Sequence, residues 1–215
     1  MDLFDGISRR ISKTKKYVLA VAVAQDYDVL SAVVRAVQMN LVEAILVGDE
    51  NKILDIAQMH GFSLDQMKIV HEPDSTIACE TAVKLVSSGE ANLLMKGLVD
   101  TSVLLKAALN REWGLRTDRV LSHVTVASIP DYDRFFFITD AAMNIAPDVE
   151  AKKQIILNCL PVAKALGVDM PKVAVVCAVE KVNPKMQATL DAQALSDMQD
   201  RGEITGCFVD GPFAF

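Results

Sequence analysis

The chain is short of the residues that usually announce a chemistry. It has four cysteines and three histidines in 215 residues. Cys79, Cys159, Cys177 and Cys207 are far apart, with no CxxC pair, and His60, His71 and His123 are equally scattered. That excludes a disulfide framework and the usual zinc spacings, and reads as free, buried thiols with no metal site. No apolar run approaches the ~18 residues of a membrane span. The N-terminus, MDLFDGISRRISKTKK, lacks the apolar stretch of a secretory signal, and Asp2 and Asp5 argue against a basic presequence. Net charge is −6, which disfavours a nucleic-acid partner, because a phosphate backbone selects a basic face. Signature motifs are missing too: no GxGxxG, GxxxxGK[ST], HExxH or GxSxG. These absences point to a soluble, cytoplasmic protein whose site must be found from its fold.

The fold is legible in the patterning. With 51% hydrophobic residues the chain can build a sizeable core. Tyr17–Ala24 is a continuous apolar run, as a strand buried on both faces requires. Asp26 then caps a helix over Tyr27–Met39. Further strands are expected at Ala44–Val47, Met67–His71 and Asn92–Met95. Helices are expected at Asn51–His60, from Pro73-Asp74 to Ser88, and at Thr101–Leu109. This alternation predicts a parallel sheet with helices on both faces. Arg119–Ile129 and Arg134–Thr139 then read as strands of a hairpin, since four residues cannot make a crossover. After them come a helix at Val149–Leu166, a strand at Lys172–Ala178, a helix at Gln187–Arg201 and a strand beginning in Ile204–Val209. The expected domains are 1–129 and 130–215. A βα chain should continue with a helix past DGPFAF, so a chain lacking its C-terminal part is expected.

In open α/β sheets ligands bind beyond the carboxyl ends of the strands. The stretch LLMKGLVDTSVLLKAAL ends one such strand at Lys96-Gly97. Gly97 allows a positive φ or a close approach. Asp100, Thr101 and Ser102 then cap a helix whose free N–H groups suit an anion, and Lys106 lies one turn beyond Ser102. Ordinary capping with a surface lysine would look the same. Ser122-His123 is a polar pair within an apolar run, either bonded internally or turned to a cleft. Adjacent strand residues face opposite ways, so it is no nucleophile–base pair. In the loop TDAAMNIAPD, Asp140 and Asn144 stand among small apolar residues and suit close packing on a ligand. Lys181, Asn183 and Lys185 project from VEKVNPKM, either toward phosphates or as a solvated loop. Trp113-Gly114 lies among Arg111, Arg116 and Arg119.

The segments LMKGLVDTSVLLKAAL, GLRTDRVLSHV, FITDAAMNIAPD, AVEKVNPKMQATLDAQAL and CFVDGPFAF, in that order, closely resemble the phosphate acetyl/butyryl transferase family, nearest its butyryl-transferring branch. The resemblance implies two α/β domains around a cleft, related to isocitrate and isopropylmalate dehydrogenases. It implies transfer of a short acyl group between coenzyme A and inorganic phosphate, with coenzyme A as substrate, no metal or redox cofactor, and a homodimer or larger homo-oligomer. Carried over by position, Lys96, Gly97, Thr101, Ser102 and Lys106 match the phosphate side. Lys106 stands where the acetyl branch has an arginine. Ser122 and His123 match the cleft end of the first domain, and Asp140 and Asn144 a loop entering from the second. Lys181, Asn183 and Pro184 match the loop opposite. The expected thiol base and a serine-arginine element lie beyond Phe215, so the catalytic residue itself is unassigned. Two other readings remain open: an inactive CoA-binding fragment or scaffold, and an oxidative decarboxylase on the related fold. The second should show a metal-binding aspartate cluster and an acidic adenine-ribose site, and neither is evident.

Overall fold

In the computed structural model, the described residues are Phe4, Gly6, Ile7, Ile11 and 16–214; Asp2, Asp5 and Phe215 lie outside them. The chain groups into two compact units, Met1–Thr117 and Asp118–Phe215.

The first unit is built on four parallel strands, β1 (Tyr17–Ala22), β2 (Val42–Gly48), β3 (Met67–His71) and β4 (Leu93–Lys96), in the order β3-β2-β1-β4. Four helices alternate with them: α1 (Tyr27–Gln38), α2 (Glu50–His60), α3 (Ser75–Ser87) and α4 (Thr101–Ala108). The uninterrupted apolar character of the inner strands has a direct cause, since each face is covered. Ala20, Ala22, Ile45 and Val47 pack with Ala78, Cys79, Ala82 and Val83 of α3 and Leu104 and Ala107 of α4. Val21, Ala44 and Leu46 point the other way, onto Leu30, Val33 and Val37 of α1 and Ile53 of α2. Burying a side chain such as Leu30, Leu46 or Ile53 completely contributes about 1.5–3 kcal/mol.

Aspartates start the first three helices. Asp26 accepts from Val29 N–H at 3.0 Å, Asp49 from Lys52 N–H at 3.4 Å, and Asp74 from Thr76 and Ile77 N–H at 2.8 and 2.9 Å. Gly61, in the left-handed region at φ 69°, closes α2 as its sequence position implies.

The order β3-β2-β1-β4 reverses winding at β1. The topological switch point therefore lies beyond the carboxyl ends of β1 and β4. The two ends are laced together: Gly97 N–H donates to Ala22 O at 2.8 Å and Leu98 N–H to Val23 O at 3.1 Å. Val23 has φ 59°, a conformation rare for a β-branched residue. Gly97 itself has no positive φ. Its requirement is the close approach, because a Cβ there would strike the Val23 carbonyl and sit 2.6 Å from the Ala22 carbonyl.

The second unit contains an antiparallel hairpin, β5 (Thr125–Ser128) with β6 (Phe135–Ile138), and a parallel pair, β7 (Lys172–Val176) with β8 (Phe208–Phe213). Helices α5 (Val149–Ala165) and α6 (Gln187–Asp200) pack on the latter through Ile156, Leu195, Ile204, Cys207 and Val209. One sequence expectation is corrected here. The strand expected over Arg119–Ile129 is confined to Thr125–Ser128, because side chains claim the backbone before it. Gln154 accepts from Val120 N–H, Asn158 donates to Val120 O, Asn144 to Leu121 O, and Thr139 to His123 O, at 2.9, 2.9, 2.9 and 2.6 Å. Residues 118–129 group by contacts with the second unit. The last strand starts at Phe208, within the expected Ile204–Val209, and Ile204 and Cys207 ahead of it are buried in the core beside α5 and α6.

Gly97→Ala should lower unfolding stability by about 1–3 kcal/mol, because the carbonyls it meets belong to rigid strand ends. Urea denaturation checks this; an unchanged midpoint would show that the junction can relax.

Candidate functional site

The first cluster lies at the switch point. Helix α4 follows β4 after four residues, and Asp100 takes the N-cap backbone conformation. Unlike Asp26, Asp49 and Asp74, Asp100 makes no side-chain hydrogen bond to its helix. The sequence expectation of a capping aspartate is therefore met only in backbone conformation. Exposed Thr101 and Ser102 stand at a helix start that no side chain closes. Such a start offers N–H donors and the positive end of the helix dipole.

Lys96 departs from the simplest anion-site picture. Its Nζ folds back to donate to Gly97 O at 3.2 Å and Val99 O at 2.9 Å. It thus braces the turn between β4 and α4, with one ammonium proton left over. Lys106 sits in the last turn of α4 and lines a cavity of about 180 Å3 with Thr76, Glu80, Val103, Ala107, Asn110 and Trp113. Ser102 is not in that lining. Trp113 is no exposed loop aromatic. It packs against the core cluster, its N–H is held by Asn110 Oδ1 at 3.2 Å, and Lys84 lies 4.5 Å over its ring.

The second cluster centres on Asp140. Its Oδ1 accepts from Ala142 and Met143 N–H, each at 3.0 Å, and its Oδ2 from Asn144 Nδ2 at 2.5 Å. Burial raises the Asp140 pKa, but these donors and the His123 backbone N–H outweigh it and lower the value to about 2. Asp140 is thus a fixed carboxylate that organises its loop and is poorly suited to take a proton near neutrality. Asn144 bridges it to Leu121 O. Ser122 Oγ accepts from Asn158 Nδ2 at 2.9 Å. Ser122, His123, Asp140 and Asn144 therefore form one neighbourhood, all within the unit Asp118–Phe215.

The third cluster gathers at the carboxyl end of β7. Asn183 N–H donates to Thr189 Oγ1 at 2.9 Å, and Asn183 Oδ1 accepts from Lys185 N–H at 3.0 Å. Thr189, fully buried, also bonds Met186 O at 2.8 Å. Asn183 therefore shapes its loop from within, while Lys181 stays exposed. Sequence reading missed what lies beside it. Lys152 Nζ of α5 donates to Asp191 Oδ2 of α6 at 2.5 Å, and Gln187 Nε2 donates to Asp191 Oδ1 at 2.8 Å. Burial raises the Asp191 pKa, but the Lys152 and Gln187 hydrogen bonds dominate and lower it. The two partners lie on different helices, so no short-range pattern could have joined them.

Among the described residues no group of histidine, cysteine, aspartate or glutamate side chains is arranged to hold a metal ion, and no helix is long and apolar enough to cross a membrane. All four cysteines are free; Cys79 and Cys207 are buried, whereas Cys159 and Cys177 are only partly so. Burial pushes all four thiols upward in pKa, so none is an activated nucleophile.

A parallel sheet flanked by helices, with a reversal of strand order at β1, defines the class of open α/β proteins. The family described as Phosphate acetyl/butaryl transferase matches residues 76–215. The chain is 47% identical over 211 residues to a phosphate butyryltransferase of Clostridium beijerinckii, across 98% of this chain and 70% of that protein. It is 43% identical over 196 residues to a phosphate acetyltransferase of Thermotoga maritima, across 91% of this chain and 66% of that one. A branched-chain phosphotransacylase from Enterococcus faecalis V583 superposes with a TM-score of 0.79 at 31% identity, covering 92% of this chain and 68% of that one. The chain belongs to the phosphate acetyl/butyryl transferase family and is a transferase.

The Asp140 carboxyl, at about 2 in the fold against an ordinary 3.8, stabilises the protein above about pH 3.8 and loses that contribution as pH falls toward 2. In Asp140→Asn the loss of stability between pH 5 and pH 2.5 should be smaller than in the wild type. Urea unfolding at both pH values measures it; equal losses in the two proteins would refute the role.

Proposed function

We propose that the protein carries a butyryl or similar short acyl group between coenzyme A and inorganic phosphate, giving acyl phosphate and free coenzyme A. The observation that carries this reading is the 47% identity to a phosphate butyryltransferase over 98% of the chain. An inactive CoA-binding fragment is not favoured, because the relatives with this sequence are named as transferases.

The reaction needs few protein groups. In the forward direction a phosphate oxygen attacks the thioester carbonyl carbon, a tetrahedral oxyanion forms, and the C–S bond breaks to release the thiolate, which is then protonated. In reverse, the thiol gives up its proton to a base, sulfur bonds to the acyl carbon, and the C–O bond to phosphate breaks. Both directions require donors for a phosphate dianion and for the oxyanion. The open start of α4 supplies N–H groups, with the Thr101 and Ser102 hydroxyls beside them. Gly97 lets that turn lie against β1. Lys96 rigidifies the turn, and Lys106 supplies a cation from the far end of α4.

In the second unit, Asp140 and Asn144 hold a shaped loop carrying the Leu121–His123 backbone. Asn183 and Lys181 belong to a loop fixed by Thr189. No metal or redox cofactor enters this scheme. We further place the protein in the cytoplasm as a homodimer or larger homo-oligomer, on the strength of the family resemblance.

The preferred acyl group should be short, and discrimination between neighbouring chain lengths modest, since one methylene is worth about 1–3 kcal/mol. Thiol release from butyryl-CoA should depend on added phosphate. Lys106→Met should raise the KM for phosphate about tenfold or more, with Lys106→Arg largely restoring it. Absence of any phosphate-dependent thiol release from the protein would overturn the proposed reaction.

A further inference from the structure

One charged cluster is not used by the scheme above. Lys152 lies in the first turns of α5, where its own N–H donates to Asp148 O. Asp191 and Gln187 lie in the first turns of α6. Both helix starts flank the carboxyl end of β7, because α5 leads into that strand and α6 leads away from it. The connection is explicit in the contacts: the Cys177 thiol, one residue past β7, donates to Ala188 O of α6 at 3.4 Å. The carboxyl edge of a parallel sheet is where α/β proteins bind ligands.

The pair is asymmetric. Asp191 is nearly sealed, with 8% of its side chain exposed, and both its oxygens are occupied, one by Lys152 and one by Gln187. Lys152 keeps 27% of its side chain exposed. Among the described residues Asp191 is the one acceptor its Nζ meets, so two of its three protons remain unspent. A structural ion pair would serve equally well with both members buried. Here the carboxylate is sunk and clamped by an amide, and the ammonium projects outward from it. A buried carboxylate that orients an exposed donor is how proteins aim a charged group at a ligand.

We propose that Lys152 is a further anion-binding residue of this protein, its ammonium oriented by Asp191 and Gln187 to take a phosphoryl oxygen at the carboxyl edge of the β7–β8 sheet. The identity of that oxygen rests on the acyl-transfer reading, which offers two sources: inorganic phosphate and the phosphate groups of coenzyme A. Asp191 and Gln187 act as positioning residues.

The test is 31P NMR titration of the purified protein with inorganic phosphate and, separately, with coenzyme A. Replacing only Lys152 leaves a buried, unpaired carboxylate and risks the fold, so the informative variant is Lys152→Met with Asp191→Leu. Exchanging a buried ion pair for apolar residues of similar volume is commonly tolerated. The double variant should show a wild-type-like circular dichroism spectrum and bind one of the two ligands about tenfold or more weakly. Selective loss of phosphate binding assigns Lys152 to inorganic phosphate, and selective loss of coenzyme A binding assigns it to the phosphate groups of coenzyme A. Lys152→Arg, which keeps the charge, should retain most binding. Undiminished affinity for both ligands in the double variant, or no binding of either by the wild type, overturns the proposal. Weakened binding supports Lys152 whether or not the wild type turns over butyryl-CoA, so failure of the acyl-transfer reading stays separately visible.

Discussion

The contact on which the first unit depends is the seating of Gly97 against the carbonyls of Ala22 and Val23. It joins β4 to the far side of β1, and so creates the reversal of winding that opens a crevice at the strand ends. Any side chain at position 97 would force these ends apart. The same junction directs the chain into α4 with Asp100 in the cap position but making no side-chain hydrogen bond to the helix. The constraint is steric, and its consequence is electrostatic: of α1 to α4, it is α4, at the switch point, whose N-cap aspartate makes no side-chain hydrogen bond to the helix start.

The second unit uses a different device. Its candidate residues are held by side chains that replace backbone ladders. Gln154 and Asn158 of α5, with Asn144 and Thr139, take up the polar groups of residues 120–123. Amide side chains can satisfy a strand-like segment without a neighbouring strand, so the segment is freed from a sheet and delivered to the Asp140 loop. Asp140 then collects donors enough to stay ionised far below neutral pH. Thr189 does for the Asn183 loop what Asn158 does for Ser122. In both places a buried or half-buried polar group is spent on holding a loop, and the exposed residues of that loop are left available.

A protein with net charge −6 can still bind anions, because the field that matters is local. The open start of α4, Lys106 and Lys152 are each separate, local donors. The overall charge excludes a broad polyanion surface but says nothing against such points.

Composition and periodicity determined most of the scaffold. The apolar runs, the aspartates ahead of α1, α2 and α3 and the glycine behind α2 predict the βα series to within a residue or two, since these are local signals. The hairpin is equally local. Tertiary structure decided what depends on distant partners. Whether Arg119–Ile129 forms a strand turned on amides some thirty residues away, which take up the polar groups of Val120 and Ser122. Lys96 and Asp100 looked like an anion ligand and a helix cap; one braces a turn and the other leaves its helix open, because rotamer and hydrogen-bond choices are made in three dimensions. Lys152 and Asp191 carried no sequence signal at all, as the pair exists only where the first turns of two helices meet.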